Sequence, residues 1–384
     1  MPGSAMPNSR VPCTFDTPLS VPFRHRVTFT RDALDPTNPC IGEALRGAAR
    51  CIAFIDDGVA RAHPDLGRRL SSYIQSRAAG TTLASVESVA GGERCKGSMQ
   101  LPEHVVDAVD RHRIDRQSVV IAIGGGAVLD AVGFGAAIAH RGCRLLRLPT
   151  TTLAQDDAGM AVKNGINRGG KKNFVGAFAV PHAVVCDESF LATTPDWSWI
   201  GGFSEAVKIA LLRDPSLFAR IEAGAVAIRS RDMDAAMPVI MRSAELHYRH
   251  IALGGDPFEV RSARPLDYGH WLAHRLEGMT DGALPHGQAV AIGVAVDTMY
   301  SVRSGTLDAA SGHRVLDVLR TLGLPTGHPL LVDPDAVEAG LEEFREHLGG
   351  RLTVTMLRGI GESADVHAID GAILRDAITD AAGT

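Results

Sequence analysis

The sequence of 384 residues has few aromatic side chains, few cysteines and little excess charge of either sign. Aromatic residues make up 5% of the chain, and the formal net charge is −5 at pH 7. This balance excludes a basic nucleic-acid-binding protein and a highly charged disordered chain. The six cysteines are scattered without a Cys-x-x-Cys pair, which argues against a disulfide scaffold and a zinc ribbon. No apolar run reaches the roughly 18 residues that a membrane span needs.

The N-terminus, MPGSAMPNSRVPCTFDTP, is polar and rich in proline. It lacks the charged start and the apolar run of a signal peptide, so we expect a cytoplasmic protein. We predict a disordered tail over residues 1–19. The remaining length is enough for two domains of ordinary size.

Short apolar segments alternate with helical patterns in the first half of the chain. This alternation predicts an α/β domain over residues 20–194, with a parallel sheet covered on both faces. Its strand candidates are 21–30, 51–59, 119–124, 145–151 and 183–191. Long helical patterns dominate afterwards, and they predict an all-α domain over residues 195–384, with one short apolar run at 352–357 as an isolated strand candidate. The default position for a binding site is the cleft between two such domains.

A glycine triplet, Gly124-Gly125-Gly126, follows a predicted buried strand and opens a helix that carries Asp130. Backbone N–H groups at such a helix start can approach a pyrophosphate. The spacing is not the G-x-G-x-x-G dinucleotide fingerprint. A tight structural turn therefore explains the triplet equally well.

Residues 149–178 form a long segment rich in glycine, asparagine, lysine and threonine, with little periodicity. We interpret it as a loop, and loops of this length in compact domains are usually functional or disordered. Lys163, Lys171, Lys172 and Asn173 could surround a phosphate there. The alternative is a solvated basic loop.

The helical half contains a histidine and carboxylate pattern. Glu205 and Lys208 share a helix face, His270 and His274 lie at i and i+4, and His286 stands near the start of another helix. Three histidines and an acid could build a metal site with one open position. An ordinary surface ion pair and structural histidines are the alternatives.

Taken together and in order, these motifs resemble the 3-dehydroquinate synthase-like sugar phosphate cyclases. The resemblance runs from about Asp56 to about Gly361. It rests on the stretches IGGGAVLDAVGFGAA, LPTTTLAQDDAGMAVKNGIN, GKKNFVGAF, GFSEAVK, DYGHWLAH and HGQAVAIG. It implies an N-terminal Rossmann-like α/β domain and a C-terminal helical domain. It also implies bound NAD and one divalent metal ion, usually Zn²⁺, with Co²⁺ as the alternative.

The resemblance assigns roles to individual residues. The implied metal ligands are Glu205, His270 and His286, whereas His274, which spacing alone would make a ligand, faces the substrate phosphate. The residues that match cofactor contacts are Asp56, Glu93, Lys96, Gly125, Gly126, Asp130, Thr150, Thr151 and Thr193. Those that match catalytic positions are Asp157, Lys163, Lys208 and His274. Those that match substrate contacts are Arg141, Lys172, Asn173, Glu259, Arg264 and Asp267. The match at Arg141 is to an arginine that reaches the neighbouring subunit's site, which implies a homodimer.

The implied reaction converts a ketose phosphate to a carbocycle. A secondary alcohol is oxidised transiently by NAD, phosphate leaves by β-elimination, the hydride returns, and an intramolecular aldol addition closes the ring. NAD is not consumed, and the metal acts as a Lewis acid.

Several positions depart from true 3-dehydroquinate synthases. Their carboxylate-binding arginine falls at Ala263 here, and its paired lysine falls at Arg249. Because a carboxylate favours a bidentate arginine, these departures argue against 3-deoxy-arabino-heptulosonate 7-phosphate as the substrate. Asp267 stands for the usual asparagine and Gln288 for the glutamate of the HGE motif.

Other features resemble the sedoheptulose 7-phosphate cyclases. Arg264-Pro265 matches the R-P pair of that group, although His274 is a residue that its members typically lack. The overall pattern is most similar to dehydroquinate-synthase-like proteins of Ebo-type operons. We therefore expect a cyclase of a seven-carbon sugar phosphate such as sedoheptulose 7-phosphate.

Three alternatives remain at this stage. The first is 3-dehydroquinate synthase itself. The second is a metal-dependent polyol dehydrogenase of the glycerol dehydrogenase type, which would release NADH; the phosphate-directed lysines Lys163 and Lys172 favour the cyclase over it. The third is a non-catalytic binding protein, which the retained metal and NAD positions disfavour.

Overall fold

The computed structural model describes residues 14–169, 171–258, 266–347, 350 and 352–382. Two predicted substrate residues, Glu259 and Arg264, lie outside the described residues, as do 1–13 of the predicted tail. Residues 14–26 have no regular secondary structure and are mostly exposed.

A six-stranded parallel sheet organises the first half of the chain, in the order β1-β8-β5-β4-β2-β3. The strands of this half are β1 (Val27–Thr30), β2 (Arg50–Asp56), β3 (Thr82–Val89), β4 (Val119–Gly124), β5 (Arg144–Pro149), β6 (Lys163–Arg168), β7 (Lys171–Phe178) and β8 (Ala183–Asp187). The helices are α1 (Cys40–Ala44), α2 (Asp57–Ala62), α3 (Leu66–Arg77), α4 (Gln100–Arg111), α5 (Gly126–Ile138) and α6 (Thr152–Asp156).

The central strands are apolar throughout because both faces of the sheet are covered. Every residue of β4 is buried. Along β2, Ala53 and Ile55 pack in the core beside α3, while Ile52 and Phe54 pack in the core beside α4 and α5. This period-two division between two cores confirms the predicted α/β fold.

The segment 149–178 is more ordered than the sequence suggested. It contains α6 and an antiparallel hairpin of β6 and β7, so the interpretation as a loop was wrong. Fully buried Arg147 on β5 anchors the hairpin, since its guanidinium donates to the Ala161 carbonyl (2.6 Å) and to Oδ1 of Asn164 (2.7 Å). Anchors of this kind join residues distant in sequence, so local composition does not show them.

Helices dominate the second half of the chain. They are α7 (Asp196–Arg213), α8 (Pro215–Arg229), α9 (Met233–Leu253), α10 (His270–Met279), α11 (His286–Arg303), α12 (Ala309–Leu322), α13 (Pro334–His347) and α14 (Gly371–Ala382). Helix α11 is central, because all residues from Ala289 to Tyr300 except Met299 are buried. A helix that is apolar all round is a core helix.

Three strand predictions need correction. The strand expected at 21–30 is reduced to β1 at its C-terminal end. Edge strand β3 was missed because all but one of its residues are exposed or only half-buried, so it lacks an apolar run. The second half is not all-α, since β9 (Val354–Gly359) pairs with β10 (Glu362–Val366) in an antiparallel hairpin. Within the described ranges, no helix is both long and apolar enough to cross a membrane.

Candidate active site

Several predicted cofactor residues lie together at the carboxyl ends of the parallel strands. Asp56 ends β2, the glycine triplet joins β4 to α5, and Thr150 and Thr151 follow β5. Burial raises the pKa of the Asp56 carboxyl, although the backbone N–H of Gly58 donates to it at 2.8 Å. The carboxyl edge of a parallel sheet is where open α/β folds bind ligands.

This edge combines a glycine turn at a helix start with a buried hydroxyl that lacks a described partner. A Cβ added at Gly125, the N-cap of α5, would stand in ordinary contact with Thr151, 3.5 Å from its Cγ2. The Thr150 hydroxyl is buried and has no hydrogen-bond partner among the described residues. Open backbone N–H groups beside an unpaired hydroxyl suit a pyrophosphate. Thr193, by contrast, is bound at 2.8 Å to Nε2 of His63.

The hairpin side chains contact the other predicted cofactor residues. Lys96 Nζ lies 2.8 Å from Oδ2 of Asp130 and also contacts Oδ1 of Asn173. Burial lowers the pKa of Lys96, but Asp130 and Glu93 outweigh it and the pKa is raised. Lys172 Nζ lies 3.4 Å from Glu93 Oε1. Predicted substrate and cofactor residues therefore form one charged network here.

Three helices bring together the predicted metal ligands. Oε1 of fully buried Glu205 on α7 lies 3.4 Å from Nε2 of His270 and 3.4 Å from Nε2 of His286, the first residues of α10 and α11. Their ligand atoms all lie within 4.8 Å of one another. Oε1 of Glu205 has no hydrogen-bond partner in the described part of the chain. One carboxylate and two imidazoles are donors that suit Zn²⁺ or Co²⁺.

Two glycine contacts make this convergence sterically feasible. A Cβ on Gly287 would stand 2.1 Å from the Gly201 carbonyl oxygen, so α7 and α11 touch there by backbone alone. Gly269 has a φ of 75° and its Cβ would stand 2.6 Å from the backbone nitrogen of Val294 on α11. Each glycine directly adjoins a histidine of the cluster. Sequence reasoning missed both contacts.

Outer partners orient the two histidines. Nδ1 of His270 lies 3.2 Å from the Tyr268 carbonyl, and Nδ1 of His286 lies 3.2 Å from Oε1 of Glu277. Burial lowers the pKa of His286, but Glu277 and Glu205 raise it to about 10. Burial raises the pKa of Glu277, yet His286 and Lys172 bring it below its ordinary value. Such outer carboxylates usually fix the orientation of a metal-binding imidazole. Glu277 was missed, although it lies one turn after His274 on α10.

His274 lies beside the cluster of Glu205, His270 and His286 without joining it. Its ring centroid is 5.6 Å from that of His270 and 6.4 Å from that of His286. Burial, reinforced by the neighbouring His270, holds the pKa of His274 well below its usual value. It is therefore a neutral imidazole next to the ligand set.

Catalytic candidates border the opposite side of Glu205. The Lys208 ammonium contacts Oε2 of Glu205; burial lowers the pKa of Lys208, but Glu205 and Asp157 raise it overall. Asp267 is near enough to contribute to the same rise. Oδ1 of Asp157 lies 3.2 Å from Nε2 of His247, a buried residue of α9 that the sequence analysis did not single out. The sequence did not indicate a role for His247, because a single histidine on an apolar helix face forms no motif.

Two further predicted residues, Lys163 and Arg141, lie at exposed positions of the first half of the chain. Lys163 is exposed at the start of β6, and Arg141 is exposed, with a φ of 64°, at the end of the 3₁₀ turn after α5. Arg249, weighed as a carboxylate ligand, donates at 2.8 Å to Glu245 on the outer face of α9.

Comparison with known proteins gives a consistent assignment. Residues 86–200 match the family model described as 3-dehydroquinate synthase N-terminal, and residues 202–345 match 3-dehydroquinate synthase C-terminal. The 3-dehydroquinate synthase of Halorhodospira halophila is 37% identical over 300 residues, which covers 77% of this chain and 82% of that protein. The 2-epi-5-epi-valiolone synthase of Streptomyces glaucescens is 32% identical over 348 residues, which covers 90% and 88%.

A solved structure is similar over nearly the whole chain. The 2-epi-5-epi-valiolone synthase of Streptomyces hygroscopicus subsp. jinggangensis, with NAD⁺ and Zn²⁺ bound, aligns with a TM-score of 0.87 at 28% identity, covering 96% of this chain and 99% of that one. The chain thus belongs to the 3-dehydroquinate synthase family of sugar phosphate cyclases, which are phosphate-eliminating carbon–oxygen lyases.

Proposed function

We propose that this enzyme cyclises sedoheptulose 7-phosphate, or a closely similar seven-carbon ketose phosphate, with NAD and one Zn²⁺ or Co²⁺ ion. The observation that carries the proposal is the convergence of buried Glu205 and His270 with half-buried His286. The ammonium of Lys208 borders this set. A metal ion and a cation at one carboxylate suit the polarisation of a sugar hydroxyl.

Each implied group fits donors that the chain leaves unused. The start of α5 and the Thr150 hydroxyl, which has no described partner, would hold NAD, together with Asp56, Gly126, Asp130 and Thr151. Glu205, His270 and His286 would hold the metal. When bound, NAD supplies a transient hydride acceptor and the metal supplies Lewis acidity.

The chain's own residues would divide the remaining work. Lys208 and Asp157 lie on one side of Glu205, where they would orient the substrate hydroxyl and hold its proton. His274 is neutral beside the cluster, and it would donate a hydrogen bond to the departing phosphate. Lys163, Lys172 and Asn173 on the hairpin would supply charge and N–H donors to the same phosphate. Overall, the sugar loses inorganic phosphate and forms a carbocycle without net oxidation.

The surroundings of Arg249 favour sedoheptulose 7-phosphate over 3-deoxy-arabino-heptulosonate 7-phosphate. The second sugar carries a carboxylate that needs a cationic partner, and Arg249 is instead paired with Glu245 on an exposed face. The 2-epi-5-epi-valiolone synthase relatives support the same choice. 3-Dehydroquinate synthase activity remains the competing candidate because of the relative from Halorhodospira halophila.

Phosphate release tests the proposal. Purified protein with NAD and Zn²⁺ is given sedoheptulose 7-phosphate or 3-deoxy-arabino-heptulosonate 7-phosphate, while the absorbance of NADH is followed. We expect phosphate from the first sugar and no net NADH. Phosphate from the second sugar alone would make the chain a 3-dehydroquinate synthase. Net NADH from simple polyols without phosphate release would make it a dehydrogenase.

We also propose that the enzyme is a homodimer in which Arg141 reaches the partner's phosphate site. The exposure of Arg141 supports this role, because its side chain is accessible to a second subunit. Size-exclusion chromatography with light scattering should give a molar mass of twice that of the chain. Arg141→Ala should weaken sugar phosphate binding, whereas a monomeric, fully active wild type would refute the proposal.

A further inference from the structure

His247 is a buried histidine with two differently placed ring nitrogens. Nδ1 is hydrogen-bonded within α9, and Nε2 has no hydrogen bond to a described residue. Only 3% of the residue is exposed. Nδ1 lies 3.0 Å from the carbonyl oxygen of Ser243, one turn earlier on α9. Because a carbonyl only accepts, Nδ1 carries the hydrogen. Nε2 makes no hydrogen bond to any residue that the structure describes, although Oδ1 of Asp157 is 3.2 Å away. A buried nitrogen without a partner indicates a ligand.

Nε2 of His247 lies close to Glu205, the carboxylate that is also grouped with His270 and His286. Nε2 of His247 and one oxygen each of Asp157 and Glu205 lie within 4.8 Å of one another. Glu205 also belongs to the set with His270 and His286. The side chain of Asp157 is 32% exposed, so this side of the cluster is open to an incoming molecule.

The charges at this position select the kind of ligand. An anion would meet the carboxylates of Asp157 and Glu205, both within 4.8 Å of Nε2. A second metal ion would meet the ammonium of Lys208, which already contacts Glu205. A hydroxyl avoids both conflicts, since it can donate its hydrogen to Nε2 and accept one from Lys208. Lys208 is close enough to Asp157 for that carboxylate to raise its pKa.

The orientation of α9 supports His247 as the residue that faces the sugar. Two residues later, Arg249 lies on the outer face and pairs with Glu245. Towards the cleft, α9 therefore presents an imidazole and not a guanidinium. Nε2 of this imidazole is the ring atom that can meet a hydroxyl of an incoming molecule.

We infer that Nε2 of His247 accepts a hydrogen bond from a sugar hydroxyl next to the metal position, and that His247 thereby selects for a polyhydroxylated substrate. The inference rests on the proposed function, because it names a substrate contact within that same site. His247 is a specificity residue in this role and does not bind the metal.

Binding of sedoheptulose 7-phosphate to wild type, His247→Ala and His247→Gln tests the inference. Calorimetry uses the full chain loaded with Zn²⁺ and without NAD, so that binding is measured without turnover. Phosphate release with NAD then gives KM and kcat. Zinc content, NAD affinity and the melting temperature are measured for each variant. His250→Ala, on the same helix, is the matched control.

We expect His247→Ala to raise Kd and KM for the sugar about tenfold, the loss of one good hydrogen bond, while zinc stays at one ion per chain and NAD affinity is unchanged. His247→Gln, whose amide oxygen is also an acceptor, should recover part of that loss. A control variant with the same loss as His247→Ala would count against a specific contact.

The remaining outcomes separate the two proposals. Wild-type affinity in His247→Ala would overturn the inference and leave the proposed function intact. Loss of zinc in that variant, or two zinc ions per wild-type chain, would make His247 part of a metal site and also overturn it. If the wild type binds the sugar without releasing phosphate, the proposed function fails, and the ratio of Kd values still decides the role of His247. No binding at all would refute both.

Discussion

The two sides of the site are built by different means. At the sheet edge, a backbone turn at Gly125 presents the N–H groups of a helix start, and Thr150 presents a hydroxyl without a described partner. On the helical side, Glu205, Lys208 and His286 are ionisable side chains held close together by helix packing. Ligand binding at the sheet edge therefore depends on shape, whereas ligand binding on the helical side depends on charge. Substitutions should therefore affect cofactor affinity on one side and metal content on the other.

The strongest test of this contrast is Glu205→Ala on the helical side. The variant should lose its metal and lower phosphate release by roughly a thousandfold, because it removes the carboxylate that joins both histidines. His270→Ala should act in the same way. Metal analysis and phosphate release are measured together, with NAD affinity as a third readout.

Glu222→Ala is the matched control, since Glu222 pairs with Arg314 on the surface. It should retain both metal and activity. Full metal content in Glu205→Ala would show that the ligand assignment is wrong.

On the sheet side, Lys163→Ala should reduce the rate of phosphate release about a hundredfold, the effect of losing one charged donor to the leaving group. NAD affinity and zinc content should change little. Steady-state phosphate release and NAD titration check this. Lys171→Ala, in which an exposed lysine of the same hairpin lies 5.5 Å from the Phe174 ring centroid, should be nearly silent. An unchanged rate in Lys163→Ala would remove this lysine from the phosphate site.

Glu277→Gln refines the comparison between the two sides of the site. It changes a residue that contacts His286 and is not itself a predicted metal ligand. Its carboxylate holds Nδ1 of His286 at 3.2 Å, so the neutral amide should weaken zinc binding by about 10- to 100-fold. Competition with a chelator measures this affinity. Glu343→Gln, which perturbs an exposed pair with Arg275, is the control. Equal zinc affinity in both variants would exclude a positioning role for Glu277.

The smallest effect is expected for Arg249→Ala. Because Arg249 faces Glu245 on the outside of α9, kcat/KM for sedoheptulose 7-phosphate should stay within about twofold of wild type, as for most surface substitutions. A large loss of activity would show that this arginine turns into the site, and the substrate assignment would have to be reconsidered.

The sequence predicted the features that depend on interactions between residues close together in the chain. Apolar β4 and the glycine triplet are local patterns, so the sheet edge was predicted. The β6–β7 hairpin depends on Arg147, which reaches carbonyls up to 16 residues away. His247 contacts Asp157, and Glu277 contacts His286; in each pair the two residues lie on different elements. Spacing within one segment contains no information about such pairs.

The ion pair between Lys172 and Glu277 links the two sides of the site. Lys172 Nζ lies 2.5 Å from Oε1 of Glu277, the same oxygen that lies 3.2 Å from His286, and 3.4 Å from Glu93 near the sheet edge. One oxygen atom thus contacts both a hairpin lysine near the sheet edge and an imidazole that is proposed to bind the metal. Affinities joined through a shared group are reciprocal. Whatever factor zinc contributes to NAD binding, NAD must contribute to zinc binding, so the supply of either ligand in the cell would change the affinity for the other.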